Sequence, residues 1–286
     1  MAKQALKEKL STVLFLIPGA GFILLFLSFA FILTVFQSFG LFSLIGESRF
    51  TLNHWKVIFE QEFIDSFLFS LKIGIGSAFG TLLFAYPLAL FLRKKGFGKK
   101  LLGSLVKIPL FIPALVAAFL VVNLISYHGL VNSVLLALGI IEEPLRMLND
   151  EFGWGVFLIQ IWKNIPFQLL IISSSLAVIR NDVEDAALNL GAGRLKVIFY
   201  ITIPLSIPGI LVAVVLVFIM TFGDFAITKI AGPVYPNSIS VRMLVEAMVF
   251  QEWNKAAVMG VIVMVTAVAF AALYTQIGKK IQENRR

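Results

Sequence analysis

The sequence predicts an all-α membrane protein with six transmembrane helices, both termini in the cytoplasm, and a short cytoplasmic helix between spans four and five. Three observations predict it: how apolar the chain is, how its apolar residues are grouped, and where its Lys and Arg fall. Of 286 residues, 59% are hydrophobic and 14% charged, and the mean hydropathy is +0.95. Soluble domains carry roughly 25% charged residues. A soluble core has no room for this much apolar surface, so lipid must be the solvent for part of the chain. The chain has no Cys, and only His54 and His128 offer imidazole, which excludes a disulfide framework and a thiolate metal site. A net charge of +8 would suggest a nucleic-acid partner in a soluble protein. In a membrane chain basic residues collect in cytoplasmic loops, so no nucleic acid is expected here.

The spans follow from length. A helix rises 1.5 Å per residue, so about 20 apolar residues cross a ~30 Å hydrocarbon core. Six stretches qualify, at about 13–36, 67–92, 105–126, 152–178, 205–228 and 256–278, within a single transmembrane domain over 1–286. The first follows Lys3, Lys7 and Lys9, as a signal peptide would, but its apolar run is too long for one and reads as a retained span. The fourth is interrupted by Lys163, Asn164 and Pro166, and the fifth opens with Pro204 and Pro208. Residues 37–66, with Trp55 in FTLNHWKVIF, predict a short amphipathic helix between spans one and two.

Orientation follows from charge. With the N-terminus inside, the cytoplasmic segments hold three Lys/Arg before span one, six between spans two and three (Arg93, Lys94, Lys95, Lys99, Lys100, Lys107), three between four and five (Arg180, Arg194, Lys196) and four at the end. That is sixteen, against six outside (Arg49, Lys56, Arg146, Lys229, Arg242, Lys255). The asymmetry puts both termini in the cytoplasm. The Lys-rich loop near 93–100 reads as a topology anchor.

The segment with most information is NDVEDAALNLGAGRLKVIFYITIPLSIPGI, residues 181–210. Asn181 or Asp182 can cap a helix whose positive end suits acids at 182, 184 and 185. Gly191 and Gly193 break that helix, and a second amphipathic helix leads through Pro204 into span five. Asp185-Ala186-Ala187, Gly191 three residues on, Ile201 nine further, and Ile203-Pro204 resemble the signature loop of the permeases of ATP-binding-cassette (ABC) importers. That pattern has Glu-Ala-Ala first and Leu-Pro last, so Asp185 and Ile203 depart from it conservatively, and Glu184 is adjacent.

The resemblance implies that residues 181–204 form a coupling helix and loop, in which Glu184, Asp185, Ala186, Ala187, Gly191, Ile201 and Pro204 meet a separate ATPase subunit. It also implies two such ATPases carrying ATP and Mg, a second permease (homologous, or a copy of this chain) and an extracytoplasmic binding protein, all at a bacterial inner membrane. No cofactor, catalytic residue or metal ligand is expected in the chain itself. Neither GFGKK (96–100) nor GAGRLK (191–196) fits the phosphate-cradling Gly-rich pattern. FAYPLALFLRKKG (84–96) and TFGDFAITKIAGP (221–233) further resemble the spermidine/putrescine permease group, which implies a polyamine or related small solute.

Ionisable residues inside a membrane are costly and default to functional candidates. Asp224 in span five and Lys163 in span four are the clear ones: they line the path, where Asp224 could meet a cationic substrate, or they pair with each other or with groups of a partner subunit and lock helix packing. Pairing with each other is the expectation. Asn123, Tyr127, Gln160, Asn164 and Thr221 are weaker path candidates, since a polar residue in a span is usually satisfied by a neighbouring helix. Gly74, Gly76 and Gly80 predict close packing of span two, while Pro109, Pro113 and Pro166 predict kinks or breaks. The alternatives are a transporter driven by ion gradients, which predicts inverted repeats and a midplane site with several charges, and a membrane scaffold, which leaves the 181–204 motif unexplained.

Overall fold

The computed structural model describes residues 15, 17–94 and 96–283. Lys3, Lys7, Lys9, Lys95, Arg285 and Arg286, which enter the charge count, lie outside these, as does the expected start of span one. Among the described residues every regular element is helical. A π-helical turn (Ile17–Gly21) leads into α1 (Phe22–Ser38). A 3₁₀ turn (Asn53–Phe59) precedes α2 (Gln61–Arg93), which is followed by α3 (Lys99–Leu105), a second 3₁₀ turn (Ile108–Phe111), α4 (Ala114–Ile125) and α5 (Leu130–Ala137). The chain continues through α6 (Trp154–Ala177), α7 (Asn181–Asn189), α8 (Arg194–Val197), a π-helical turn (Ile198–Thr202), α9 (Ile203–Phe222), α10 (Ala226–Ala231), α11 (Ile239–Met248) and α12 (Trp253–Glu283).

Six segments are long and apolar enough to cross a membrane: Ile17–Ser38, Gln61–Arg93, Ala114–Ala137, Trp154–Ala177, Arg194–Phe222 and Trp253–Gly278. Spans two, three and five differ most from the sequence expectation: span two starts at Gln61 rather than 67, span three ends at Ala137 rather than 126, and span five starts at Arg194 rather than 205. Span three begins at Ala114 rather than near 105, because Pro109 sits in the 3₁₀ turn and Pro113 precedes α4, where a missing N–H costs nothing. Span five ends at Phe222 rather than 228, because Gly223 and Asp224 stop the helix and α10 restarts it. Pro166 does not break span four: α6 runs through it.

The chain divides into two compact units. In the first, Met1–Glu60 with Met243–Ile262, Trp55 stacks on Phe39 at 5.3 Å between ring centroids. There Asn254 donates to the Gln37 carbonyl at 2.9 Å. In the second, Gln61–Arg242 with Val263–Arg286, α2, α6 and α9 pack on one another as the central bundle. One apolar cluster joins Phe69 and Ile73 of α2, Val156 and Ile159 of α6, Ala118 of α4 and Ile227 of α10. Another, toward the opposite end of the bundle, joins Ala85 and Ala89 of α2, Leu169, Ile172 and Leu176 of α6, and Ala213 of α9. The small residues of α2 set the approach. A Cβ on Gly76 would lie 2.4 Å from the Phe157 ring, and one on Gly80 would lie 2.7 Å from Ile161. Van der Waals packing rather than water release holds helices together in lipid, so this contact distance carries weight.

Candidate functional site

The bundle end formed by the last turns of α2 and α6 carries the 179–204 segment. Arg93, the last residue of α2, reaches across it. Its guanidinium donates to Glu184 Oε1 at 2.5 Å, to the Ile179 carbonyl at 2.7 Å and to Asn181 Oδ1 at 3.4 Å. The same Glu184 oxygen accepts from the Thr202 hydroxyl at 2.8 Å. Arg93 and Glu184 side chains are each 17% exposed, so the pair is shielded enough to be worth more than a surface ion pair. Nearby, Tyr86 of α2 and Ser206 of α9 share a hydrogen bond of 2.9 Å. Span two, the projecting helix α7 and the entry to span five are therefore tied at one point, beside an open cavity of about 510 Å³ lined by Leu90, Arg93, Glu184, Asp185, Leu188 and Thr202.

On this anchor α7 offers its other side. Val183 and Ala186 are exposed there, and Leu190, just past the helix, is 89% exposed. Gly191 turns the chain at φ +87, where any Cβ is strained, so the turn needs glycine more than it needs room. Ile201 falls in the π-helical turn and Pro204 in the first turn of α9, where proline is tolerated. One expectation fails locally: neither Asn181 nor Asp182 caps α7. Arg180 is the N-cap and makes no side-chain cap bond. Asn181 is taken by Arg93, and Asp182 pairs with Arg180 at 2.5 Å. Acids at 182 and 184 still face the positive helix end.

The polar residues of the spans fall into separate groups. The expected Lys163–Asp224 pair is not formed. Lys163 Nζ donates to the Pro109 and Ile112 carbonyls at 2.7 and 2.5 Å. Pro113 has no N–H to return to the turn before it, and the lysine supplies donors there instead. Asp224 Oδ1 accepts from the Ile227 and Thr228 backbone N–H at 2.8 and 3.3 Å, so the carboxylate starts α10 as a cap. Gln160 approaches the same carboxylate, although its Nε2 closes no hydrogen bond of sound geometry. Asn164 donates to the Gln160 side-chain oxygen at 3.1 Å, which brings Asp224, Gln160 and Asn164 together. Thr221 is buried with its hydroxyl unpartnered. Asn123 and Tyr127 are exposed at the end of α4, Asn123 bonded to the Phe119 carbonyl and Tyr127 edge-on to His128.

Sequence reasoning missed the roles of Arg93 and Thr202. Arg93 carried a signal, as the basic residue closing the apolar run LALFL, but that signal also fits a topology anchor. Lys72, which also falls within an expected span, was not among the candidates; it lies inside α2 with its amine 4.5 Å from the centre of the Phe152 ring.

Six membrane-length helices, with an exposed, internally anchored helix–glycine–helix segment leading into span five, define a multi-pass membrane protein. Residues 81–283 match the family of binding-protein-dependent transport system inner membrane components, and the chain belongs to that family. It is 27% identical over 205 residues to the spermidine/putrescine transport system permease protein PotB of Escherichia coli (strain K12), covering 71% of this chain and 74% of that protein. It is 30% identical over 165 residues to the molybdenum transport system permease protein ModB of Haemophilus influenzae, covering 56% of this chain and 69% of that one. The fold is shared with a chain of a bacterial alginate ABC transporter solved with an alginate-bound periplasmic protein, at a TM-score of 0.75 and 20% identity over 97% of both chains. The protein is thus a multi-pass permease subunit of the bacterial inner membrane.

The anchor yields a double-mutant test. Arg93→Gln or Glu184→Gln leaves the other charge shielded and unpaired. The double change should recover part of the loss, with a coupling of about 0.5–3 kcal/mol. Thermal unfolding of the purified chain reads stability, and tryptic cleavage after Arg194 and Lys196 reads release of the segment. Additive losses and unchanged cleavage would show that the pair does not hold the segment.

Proposed function

We propose that this chain is one of the two membrane-spanning subunits of an ATP-driven importer. In this reading residues 181–204 lie on the cytoplasmic side, as do both termini, and α7 seats on a separate ATPase subunit. The observation that carries it is the division of α7 into two sides. One side is fixed to span two and span five through Arg93, Glu184 and Thr202, and the other, with Val183 and Ala186 and leading to Leu190, is left to the solvent. Exposed apolar side chains on a short projecting helix are costly in water unless a partner covers them. ATP and Mg belong to that partner, and the energy reaches this chain as a displacement of α7. The whole chain acts as one permease domain, paired with a homologous subunit or with a copy of itself, and fed from outside by a binding protein.

For substrate, the likeness to a spermidine/putrescine permease supports a small cationic solute of the polyamine kind. Asp224, just past the end of span five and approached by Gln160, which Asn164 holds, is the group suited to meet an amine.

Gly191→Asp adds strain at a positive φ together with a charge at the turn that follows α7. It should leave membrane insertion intact while the co-purifying ATPase is lost and uptake falls at least ten-fold. Wild-type uptake with a stoichiometric ATPase in that variant would refute the docking role. Asp224→Asn tests the substrate, because Asn caps a helix about as well as Asp. The variant should keep its thermal midpoint and lose uptake of spermidine. Undiminished spermidine uptake would remove Asp224 from the path.

A further inference from the structure

The Lys-rich segment after span two is folded, and it walls a basin that the transport role does not use. Gly98, at φ +76, starts α3. Lys99 Nζ is pinned to the Phe91 carbonyl at 2.6 Å and lies 4.2 Å from the centre of the Phe91 ring. This brings α3 back against the ends of α2 and α6 around an open cavity of about 600 Å³. Arg93, Lys94, Lys99, Lys100 and Lys107 line it, and no acidic residue does. Arg93 is neutralised by Glu184, and Lys99 is engaged with Phe91. Lys94, Lys100 and Lys107 have no acidic partner among the described residues. The rest of the wall is apolar or small: Leu92, Leu169, Leu170 and Gly103.

Three unneutralised amines around a concave space call for an anion, and a solvated charge run would not need the cavity. The surroundings say which kind. Phe97, Leu101, Leu105 and Phe111, which alternate in the chain with the lining lysines, are 109%, 65%, 51% and 85% exposed, apolar surface that water alone would not stabilise. A polar head in the basin and hydrocarbon against these neighbouring side chains is the pattern of a phospholipid. Each Lys or Arg near an anionic membrane surface contributes about 1 kcal/mol of attraction, and basic pockets between membrane helices take phosphate-bearing head groups.

We propose that the basin between the end of α2, α3 and the second half of α6 binds the phosphodiester head group of an anionic phospholipid, held by Lys94, Lys100 and Lys107. The lipid would be of the cytoplasmic leaflet, a placement that rests on the orientation given under Proposed function. The bound lipid would brace the hinge between span two and α3 next to the Arg93 anchor.

The test titrates the purified full chain in neutral detergent with short-chain phosphatidylglycerol, with the phosphatidylcholine of equal chain length, and with inorganic phosphate. Phosphatidylglycerol should raise the thermal midpoint saturably, and the other two should not. Lys100→Gln with Lys107→Gln should weaken that binding by about five-fold for each amine removed. Lys100→Arg with Lys107→Arg should retain it, which guards against a folding defect in the first variant. Equal stabilisation by inorganic phosphate would assign the basin to a soluble anion and overturn the lipid. Equal stabilisation by phosphatidylcholine, or no loss in the Gln variant, would overturn the site. The readout needs no ATPase, so failure of ATPase docking leaves it standing, and its failure leaves docking untouched.

Discussion

Arg93 and Glu184, 2.5 Å apart at the edge of the bundle, are the contact on which the rest of the account depends. A nine-residue helix of mixed polarity has little stability of its own, since helix formation is cooperative and short helices are marginal in water. What keeps α7 at a fixed place is the fork of Arg93, which satisfies the Glu184 carboxylate, the Ile179 carbonyl and Asn181 at once. A lysine would offer one point charge there and lose the fork. Because Thr202 binds the same carboxylate, the clamp also includes the π-helical turn through which the chain enters span five. Force applied to α7 from outside therefore arrives at two of the three helices of the central bundle.

The interior polar groups obey a related constraint. With no water in hydrocarbon, each must be met locally. The cheapest donors and acceptors are those the backbone has already left free. Lys163 finds carbonyls at the proline-bounded turn before span three, and Asp224 finds amides at the start of α10. Each breaks the need for the other, so the two charges stand in separate places. The Asp224 carboxylate is therefore held by backbone amides and approached by Gln160, with no pairing to Lys163.

Much of this was legible in the sequence. Length and apolarity located the spans, and the glycine and proline positions between 181 and 204 located the helix, the turn and the second helix. The errors have physical causes. Proline at 109 and 113 moved the start of span three, and Gly223 with Asp224 ended span five early, because backbone geometry overrides hydropathy at such residues. The Lys163–Asp224 expectation failed because a pattern of charges says nothing of the free backbone groups nearby. Arg93 was visible as a basic residue at a span end, but its partner lies 91 residues away and only the packed bundle brings them together. The division into two compact units, one holding α1 and the 243–262 segment and the other the central bundle, has no counterpart in composition.

The central claim is that α7 and span two move as one body during transport. The absence of native Cys allows paired spin labels without background. Labels at Asp182→Cys on α7 and Leu83→Cys on the exposed side of α2 report that pair, and Asp182→Cys with Leu120→Cys on α4 serves as reference. Double electron–electron resonance on the assembled transporter, with and without trapped ATP, should show an unchanged 182–83 distance and a shifted 182–120 distance. A 182–83 distance that shifts as far as the reference would contradict the clamp and the coupling route built on it.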